Sequence, residues 1–336
     1  MIQQLLQQKF GIKAEEALNL GKYEACKANG LLYSLVPVGN MESDDIYERA
    51  QIAKHLMNNG DRHVAQVLTT KEGEQVVDWK ESKYCVLTQS QAGAPSDHKL
   101  GRKLAKFHYR GRLVSFQIQK IGRIGQWKKL WEQRLDQMEK VWTDLLYQKP
   151  DNEFERMFIE SFPYYMGLAE NSIQYLVDTE LDDDPGSIDY GTVCHERFQS
   201  GTWGSQYYLK NPFDWVFDHC SRDLAEWTRE RYFRNIQTYE PEVTRFFSEY
   251  ESVTPLSSFS WRLLYARILF PLHYFDCIES YYITNSEQHK HTLQDRFNKF
   301  LHQTNEHEHF LGNFYQLAQV PVRRYKIPQP EWLKKA

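Results

Sequence analysis

The spacing of apolar residues changes once along the chain, and that change limits the folds open to it. Residues 1–92 carry short runs with strand-like alternation and a single helical segment, whereas nearly everything after residue 93 repeats its apolar residues at helical spacing. One β-like patch, residues 191–218, interrupts the helical part. An α+β chain of two lobes follows, with a small β-rich lobe over 1–92 and a large helical lobe over 93–336. At 336 residues the chain is long enough for both to bury a core.

In the first lobe, Lys22–Cys26 and Leu31–Val38 flank Asn29-Gly30, a dipeptide that tolerates the positive φ angles of a tight hairpin. Ser43 or Asp44 stands where a helix cap is needed, Ile46, Ala50, Ala53 and Met57 share one helical face, and Gly60 can end the helix. Val64–Leu68, Gln75–Trp79 and Tyr84–Thr88 supply three more strands, giving the order strand, strand, helix, strand, strand, strand. Gln89–Pro95, rich in small and turn residues, reads as a linker.

After it, Ser96 is placed to cap a helix whose Leu100, Leu104, Phe107 and His108 recur at helical spacing, with Gly111 as its stop. Trp127, Leu130, Trp131, Leu135, Met138, Trp142 and Leu145 form a core stripe on the next helix. Phe154–Val177 reads as a long helix bent at Pro163, and Ser260–Ile283 and Glu287–Leu317 as two more.

The 41 Lys and Arg against 45 Asp and Glu leave a net charge of −4, so no global basic field draws the chain to nucleic acid or to an anionic membrane. The most apolar stretch, residues 263–283, is broken by Arg267, Pro271, His273, Asp276 and Glu279, which suits a buried helix and not a membrane span. The opening MIQQLLQQKF lacks the basic start and long apolar run of a secretory signal, so synthesis and residence without export are expected. Five scattered cysteines, Cys26, Cys85, Cys194, Cys220 and Cys277, fit buried reduced thiols better than a disulfide framework.

Several metal patterns fail on spacing. His195-Glu196 opens an HExxH zinc motif, but residue 199 is Gln. Cys194-His195 and His219-Cys220 cannot all converge, because neighbours on a strand point to opposite faces. His302, His307 and His309, with Glu306 and Glu308, read as a solvated helix face, and Asp182-Asp183-Asp184 as a solvated loop. The basic stretch Val322–Pro328 docks either on a partner or on its own lobe.

Two segments carry a family resemblance. Leu100-Gly101-Arg102-Lys103-Leu104-Ala105-Lys106-Phe107-His108 resembles the LGxxLAxFH helix of aminoglycoside and choline kinase relatives. Val193–Thr202, then Trp215-Val216-Phe217-Asp218, then Arg222-Asp223-Leu224-Ala225, resembles their HGDxxxxN, IDF and DLA series in order and spacing. Within that superfamily the chain resembles the CotS-type spore coat proteins, and most closely their YutH branch. The resemblance implies a protein kinase-like, aminoglycoside phosphotransferase-type fold, a place in the endospore coat, and other spore coat proteins as partners.

The same resemblance shows what has changed. Phosphoryl transfer needs a positioned hydroxyl, metal ions against the phosphates and usually a carboxylate base. Arg197 stands where the family has its catalytic Asp, and a guanidinium cannot take a proton at neutral pH. The exchange shifts local charge by two units, each worth about 4 kcal/mol at 4 Å and an effective dielectric of 20, so the site should repel Mg²⁺. Thr202 replaces the metal-binding Asn, no lysine lies between Lys27 and Lys54 to end the third strand, and the glycine-rich phosphate loop is missing.

His195, Arg197 and Thr202 are therefore degenerate loop positions, and no residue is assigned as catalytic. Asp218 is the candidate metal and nucleotide ligand, with a structural acceptor as its equal alternative. Glu48 is the candidate partner of the missing lysine, or else a solvated helix charge. His195 and Asp223 are expected to hold the loop backbone. The chain reads as a catalytically inactive, kinase-fold component of the spore coat that takes no cofactor, ATP and Mg²⁺ being what such a cleft would otherwise hold. The alternatives are an active ATP-dependent kinase of the aminoglycoside, choline or homoserine type, and an anion-binding or scaffold module outside sporulation.

Overall fold

The computed structural model describes residues 1–90, 99–204 and 207–335. The N-terminal part opens with a short helix α1 (Ile2–Leu5) that continues as a π-turn to Phe10, followed by β1 (Glu16–Leu20), β2 (Tyr23–Ala28) and β3 (Leu31–Pro37). Helix α2 (Ser43–Asn58) comes next, then β4 (Gln66–Val67), β5 (Val77–Trp79) and β6 (Ser82–Ser90). The strands pair antiparallel in the order β1-β2-β3-β6-β4, with β5 on β6. The expected hairpin is β2-β3, and Asn29 and Gly30 take φ of 51° and 74° in its turn.

Strand alternation gives the sheet two distinct faces. The back face carries Cys26, Tyr33, Leu35 and Val86, which pack against Ile2, Leu5 and Leu6 of α1 and its π-turn. The front face carries Tyr23, Ala25, Val36 and Leu87. Neither α1 nor β1 was expected, because half of MIQQLLQQKF is polar and EALNL contains no β-branched residue. Ile2, Leu5, Leu6 and Leu20 are nevertheless buried.

Helix α2 differs from expectation in its face. Glu42 occupies the N-cap without a side-chain cap, Met57 is exposed, and the buried positions are Ile46, Glu48, Arg49, Ile52, Ala53 and Leu56. Two charged residues on the buried side shift the apolar stripe that spacing alone suggested. Of the expected linker Gln89–Pro95, Gln89 and Ser90 instead belong to β6, where they pair with β3, and the remainder, the Ser96 cap and the boundary at 92/93 lie outside the described residues.

The rest is helical, with α3 (Leu100–Arg112), α4 (Trp127–Tyr147) and α5 (Glu153–Asp182, holding Pro163) before the β patch, which is β7 (Thr192–His195) paired with β8 (Trp215–Asp218). Then come α6 (Ser221–Arg234), α7 (Tyr239–Glu251), α8 (Ser258–Leu269), α9 (Leu272–Ile283), α10 (Glu287–His302), α11 (Thr304–Leu317) and α12 (Val322–Tyr325). The expected single helix over 260–283 is two, because Pro271 lacks the N–H that would continue the ladder. Residues 287–317 likewise divide at Gln303.

The described chain packs as two compact units. The first comprises residues 1–124, 190–230 and 245–255, and the second 125–189, 231–244 and 256–336. In the second, Trp131 stacks on Phe270 with ring centroids 4.6 Å apart, and Phe154 stacks on Tyr281 at 3.7 Å. His307 is buried there among Tyr232, His273 and Phe310, which corrects its expected place on a solvated face. Asp182 and Asp183 pair with Arg262, and the basic tail packs on its own unit, Pro328 accepting a hydrogen bond from Tyr175. All five cysteines are buried free thiols.

In the first unit, α3 makes two glycine-dependent approaches. A Cβ on Gly101 would lie 2.1 Å from the Phe246 carbonyl oxygen, and one on Gly111 would lie 2.4 Å from Thr192 Oγ1. Gly111 is inside the helix and does not stop it. Gly101→Ala and Gly111→Ala should each cost about 1–3 kcal/mol in urea unfolding, the range of core overpacking. Gly167→Ala on α5, where a Cβ meets nothing within 4 Å, should instead be neutral or stabilising by up to about 1 kcal/mol.

Candidate functional site

A buried carboxylate organises the loop between β7 and β8. Asp223, near the start of α6, accepts the His195 backbone N–H through Oδ1 at 2.8 Å, and its Oδ2 lies 2.7 Å from His195 Nδ1 and 3.1 Å from His108 Nε2. His195 Nε2 accepts the Trp203 indole N–H at 3.0 Å, which puts the ring proton on Nδ1, facing Asp223. His108 closes the network through Nδ1 to the Tyr250 hydroxyl at 2.8 Å. His195 is 1% exposed with both ring nitrogens engaged, so it supports the loop and offers no base. Trp203 carried no motif signal and was not foreseen.

Around this frame the charges are rearranged. Arg197 donates to Glu226 at 3.0 Å, and Glu226, 4% exposed, also accepts from Arg229 at 3.1 Å. Thr202 donates its hydroxyl to the Arg197 carbonyl and accepts the Gln199 N–H, so it closes a turn. Asp218 is 1% exposed, caps the His219 N–H and receives Arg222 Nε at 2.6 Å. Arg222 is itself 6% exposed, so the candidate metal ligand sits in a buried ion pair.

Glu48 is buried, contrary to a solvated helix charge. Its carboxylate accepts the backbone N–H groups of Gln119, Lys120 and Ile121 at 2.6–3.0 Å, which ties the loop after α3 to α2. Across the β2-β3-β6 front face, the strand positions that could present a lysine are Ser34 and Val36. The buried lysine in this unit is Lys210, 2.6 Å from Asp61 and within 4.8 Å of the ring centres of Phe107 and Trp203. Burial pushes its ammonium below the usual lysine range, and Asp61 opposes that shift.

The first hairpin is β1-β2, one strand earlier than expected. Its Leu20↔Tyr23 pair leaves only Gly21 and Lys22 in the turn, where a glycine-rich phosphate loop spans about six residues. Lys22, Arg197, Thr202, Tyr207 and Asp214 are among the residues that line a cleft of about 350 Å³. Burial raises the Asp214 carboxyl above its usual range.

The family described as "Spore coat putative kinase YutH" matches residues 3–314. The Endospore coat-associated protein YutH of Bacillus subtilis (strain 168) is 38% identical over 336 residues, all of this chain and 99% of that protein. This chain belongs to the YutH spore coat family. Spore coat protein S of the same organism is 22% identical over 200 residues, covering 57% of this chain and 55% of that one. An aminoglycoside phosphotransferase from Alicyclobacillus acidocaldarius superposes with a TM-score of 0.66 at 14% identity, covering 91% of this chain and 93% of its own, and this establishes the kinase-like fold. Among the described residues, no helix of this family member is long and apolar enough to cross a membrane.

His108, Cys194 and Asp223 present ligand atoms within 4.8 Å of one another. Both His108 nitrogens are committed to Asp223 and Tyr250, and the Cys194 thiol is turned to the Asp218 and His219 carbonyls, so the cluster serves the loop frame. Burial pushes His108 down to about 4, with Asp223 pulling the other way. Burial alone would raise Asp223, but attraction to His195 and the two imidazole hydrogen bonds hold it far below the carboxylate range.

Both shifts act in one direction. Between about pH 6.5 and 4 the unfolded chain protonates His108 while the fold keeps it neutral, so stability falls with pH, and below the unfolded Asp223 value of about 3.9 the stability contributed by that carboxylate is lost as well. The melting temperature should therefore fall steadily between pH 6.5 and pH 4. His108→Gln should lower the whole curve and flatten that slope. An unchanged slope in the variant would remove His108 from the titration.

Proposed function

We propose that this protein is a spore coat-associated member of the kinase-like fold that does not transfer phosphate, and that it serves the endospore coat as a structural or assembly component. The observation that carries the inactive reading is the buried pair between Asp218 and Arg222, at 2.6 Å. A metal-binding carboxylate must offer its oxygens to a divalent cation, and here a guanidinium already takes that role. Inserting Mg²⁺ beside Arg222 would place two cations around one carboxylate in a site nearly closed to water.

Arg197 reinforces the reading, since the position of the base is a cation whose counter-charge is Glu226. The two-residue turn at Gly21-Lys22 gives phosphates no wrapping loop. Neither ATP nor Mg²⁺ is then a working cofactor. Association with the coat rests on kinship to the Bacillus subtilis coat-associated relative, and the proposed partners are other coat proteins. With a net charge of −4, nucleic acid and anionic membrane are poor partners.

Calorimetric titration with ATP, with and without Mg²⁺, together with a radiolabel assay over small hydroxyl and amino-sugar substrates, tests the inactive reading. The expected result is ATP binding weaker than about 1 mM, no tenfold gain from Mg²⁺ and no transfer above background. Tight Mg²⁺-dependent binding or measurable transfer would favour the active small-molecule kinase. Asp218→Ala should cost about 3–5 kcal/mol in stability, because it strands Arg222 in the interior. A fluorescent fusion of this chain should assemble on the forming coat, and diffuse fluorescence throughout sporulation would defeat the coat role.

A further inference from the structure

We propose that residues 207–213 form an internal strap that occupies the front face of the β2-β3-β6 sheet, the surface on which a nucleotide's base would have to rest. The inference deepens the inactive reading above and rests on it. In a kinase-like fold the nucleotide lies between the first strands of the sheet and the loop that carries the catalytic positions. Here a cleft remains beside Lys22, but the sheet face next to it holds the chain's own side chains.

The fit follows the period of the strands. Cys85, Leu87 and Gln89 of β6 point to the front face in turn. Phe213 packs at Cys85, Leu209 packs at Leu87 together with Ala25 and Val36, and Gln89 donates its amide to the Tyr208 carbonyl at 3.0 Å. Tyr207 lies against the same cluster. The strap thus runs along β6, and Leu209, 8% exposed, closes the apolar surface that a flat ring would need.

Backbone and charged groups hold it there. Ala65 donates to the Lys210 carbonyl at 3.1 Å and Lys210 donates to the His63 carbonyl at 3.3 Å, a parallel bridge beside β4. The Lys210 ammonium lies 2.6 Å from Asp61, Asn211 donates to the Tyr23 hydroxyl, and Arg49 donates to the carbonyls of Pro212 and Trp215. A ligand entering this face would have to break the Lys210–Asp61 pair's surroundings or displace Leu209, and nothing in the cluster repays that loss.

The test uses adenosine, which has no phosphate and needs no metal. The full chain should bind it more weakly than about 5 mM, while Tyr207→Ala/Leu209→Ala, which joins the vacated space to the cleft beside Lys22, should bind it at least about tenfold tighter. Adenosine binding by the unaltered chain that the double variant weakens would overturn the strap, since Leu209 would then be a platform. A folded double variant that gains no binding would also overturn it.

Hydrogen exchange on the unaltered chain decides the matter independently of how the variant folds. The amides of Ala65, Leu209 and Lys210 should be protected and unmoved by 5 mM adenosine, a concentration of about the affinity limit above. Rapid exchange at these amides would mean that the strap does not hold. The two readings fail separately: Mg²⁺-dependent phosphate transfer without adenosine binding removes the inactive assignment alone, and metal-free adenosine binding removes the strap alone.

Discussion

The Asp223 carboxylate is the interaction on which the first unit is built. A fully buried carboxylate is tolerable only when its oxygens are saturated by donors. Here the donors come from two separate elements: the His108 ring on α3 and the His195 ring and backbone at the end of β7. Because Asp223 itself stands on α6, one side chain sets the mutual position of two helices and a strand. The approach of Gly111 to Thr192 and Val193 is possible only at that spacing. The chemistry of the loop could drift while this frame stayed fixed.

The drift itself is orderly in electrostatic terms. An arginine at residue 197 would be costly beside metal ions, and Glu226 meets it while also pairing with Arg229. Asp218 would be an uncompensated buried charge without a cation, and Arg222 supplies one from the next turn of α6. Asp218 and Arg222 neutralise each other, while the single Glu226 carboxylate answers both Arg197 and Arg229. Glu48 follows the same rule by turning to three backbone donors where no strand lysine is present.

Much of this was legible in the sequence where spacing and chemistry agree. The β2-β3 hairpin, the β7-β8 patch and the first half of the α4 stripe follow from short-range pattern, although Leu130 of that stripe is exposed and Trp142 and Leu145 are only half-buried; the kinase-like arrangement came from the family resemblance, and the departures at Arg197 and Thr202 stand at fixed offsets from His195. Long-range partners do not announce themselves in this way. Nothing local ties Glu226 to Arg197 or Trp203 to His195, and Glu48 has the spacing of an exposed helix residue until the loop at 119–121 is folded over it. Strand β1 was missed because EALNL is weakly apolar and gains its place by pairing with β2. The break at Pro271 was a matter of weight: an apolar run on both sides outweighed a residue that cannot continue a helix.

A ligand-binding cleft carries a standing instability when it is empty, because its apolar wall meets water and its charged groups lack their counter-ions. In the YutH family chain described here, Arg222 pairs with Asp218, Glu226 pairs with Arg197, and Leu209 packs on the apolar front face of the sheet. The strap lies on the stretch of chain that joins Arg197 to Asp218. On the proposed inactive reading, the interior is complete without a nucleotide, and the outer surface is what such a fold would present to an assembly.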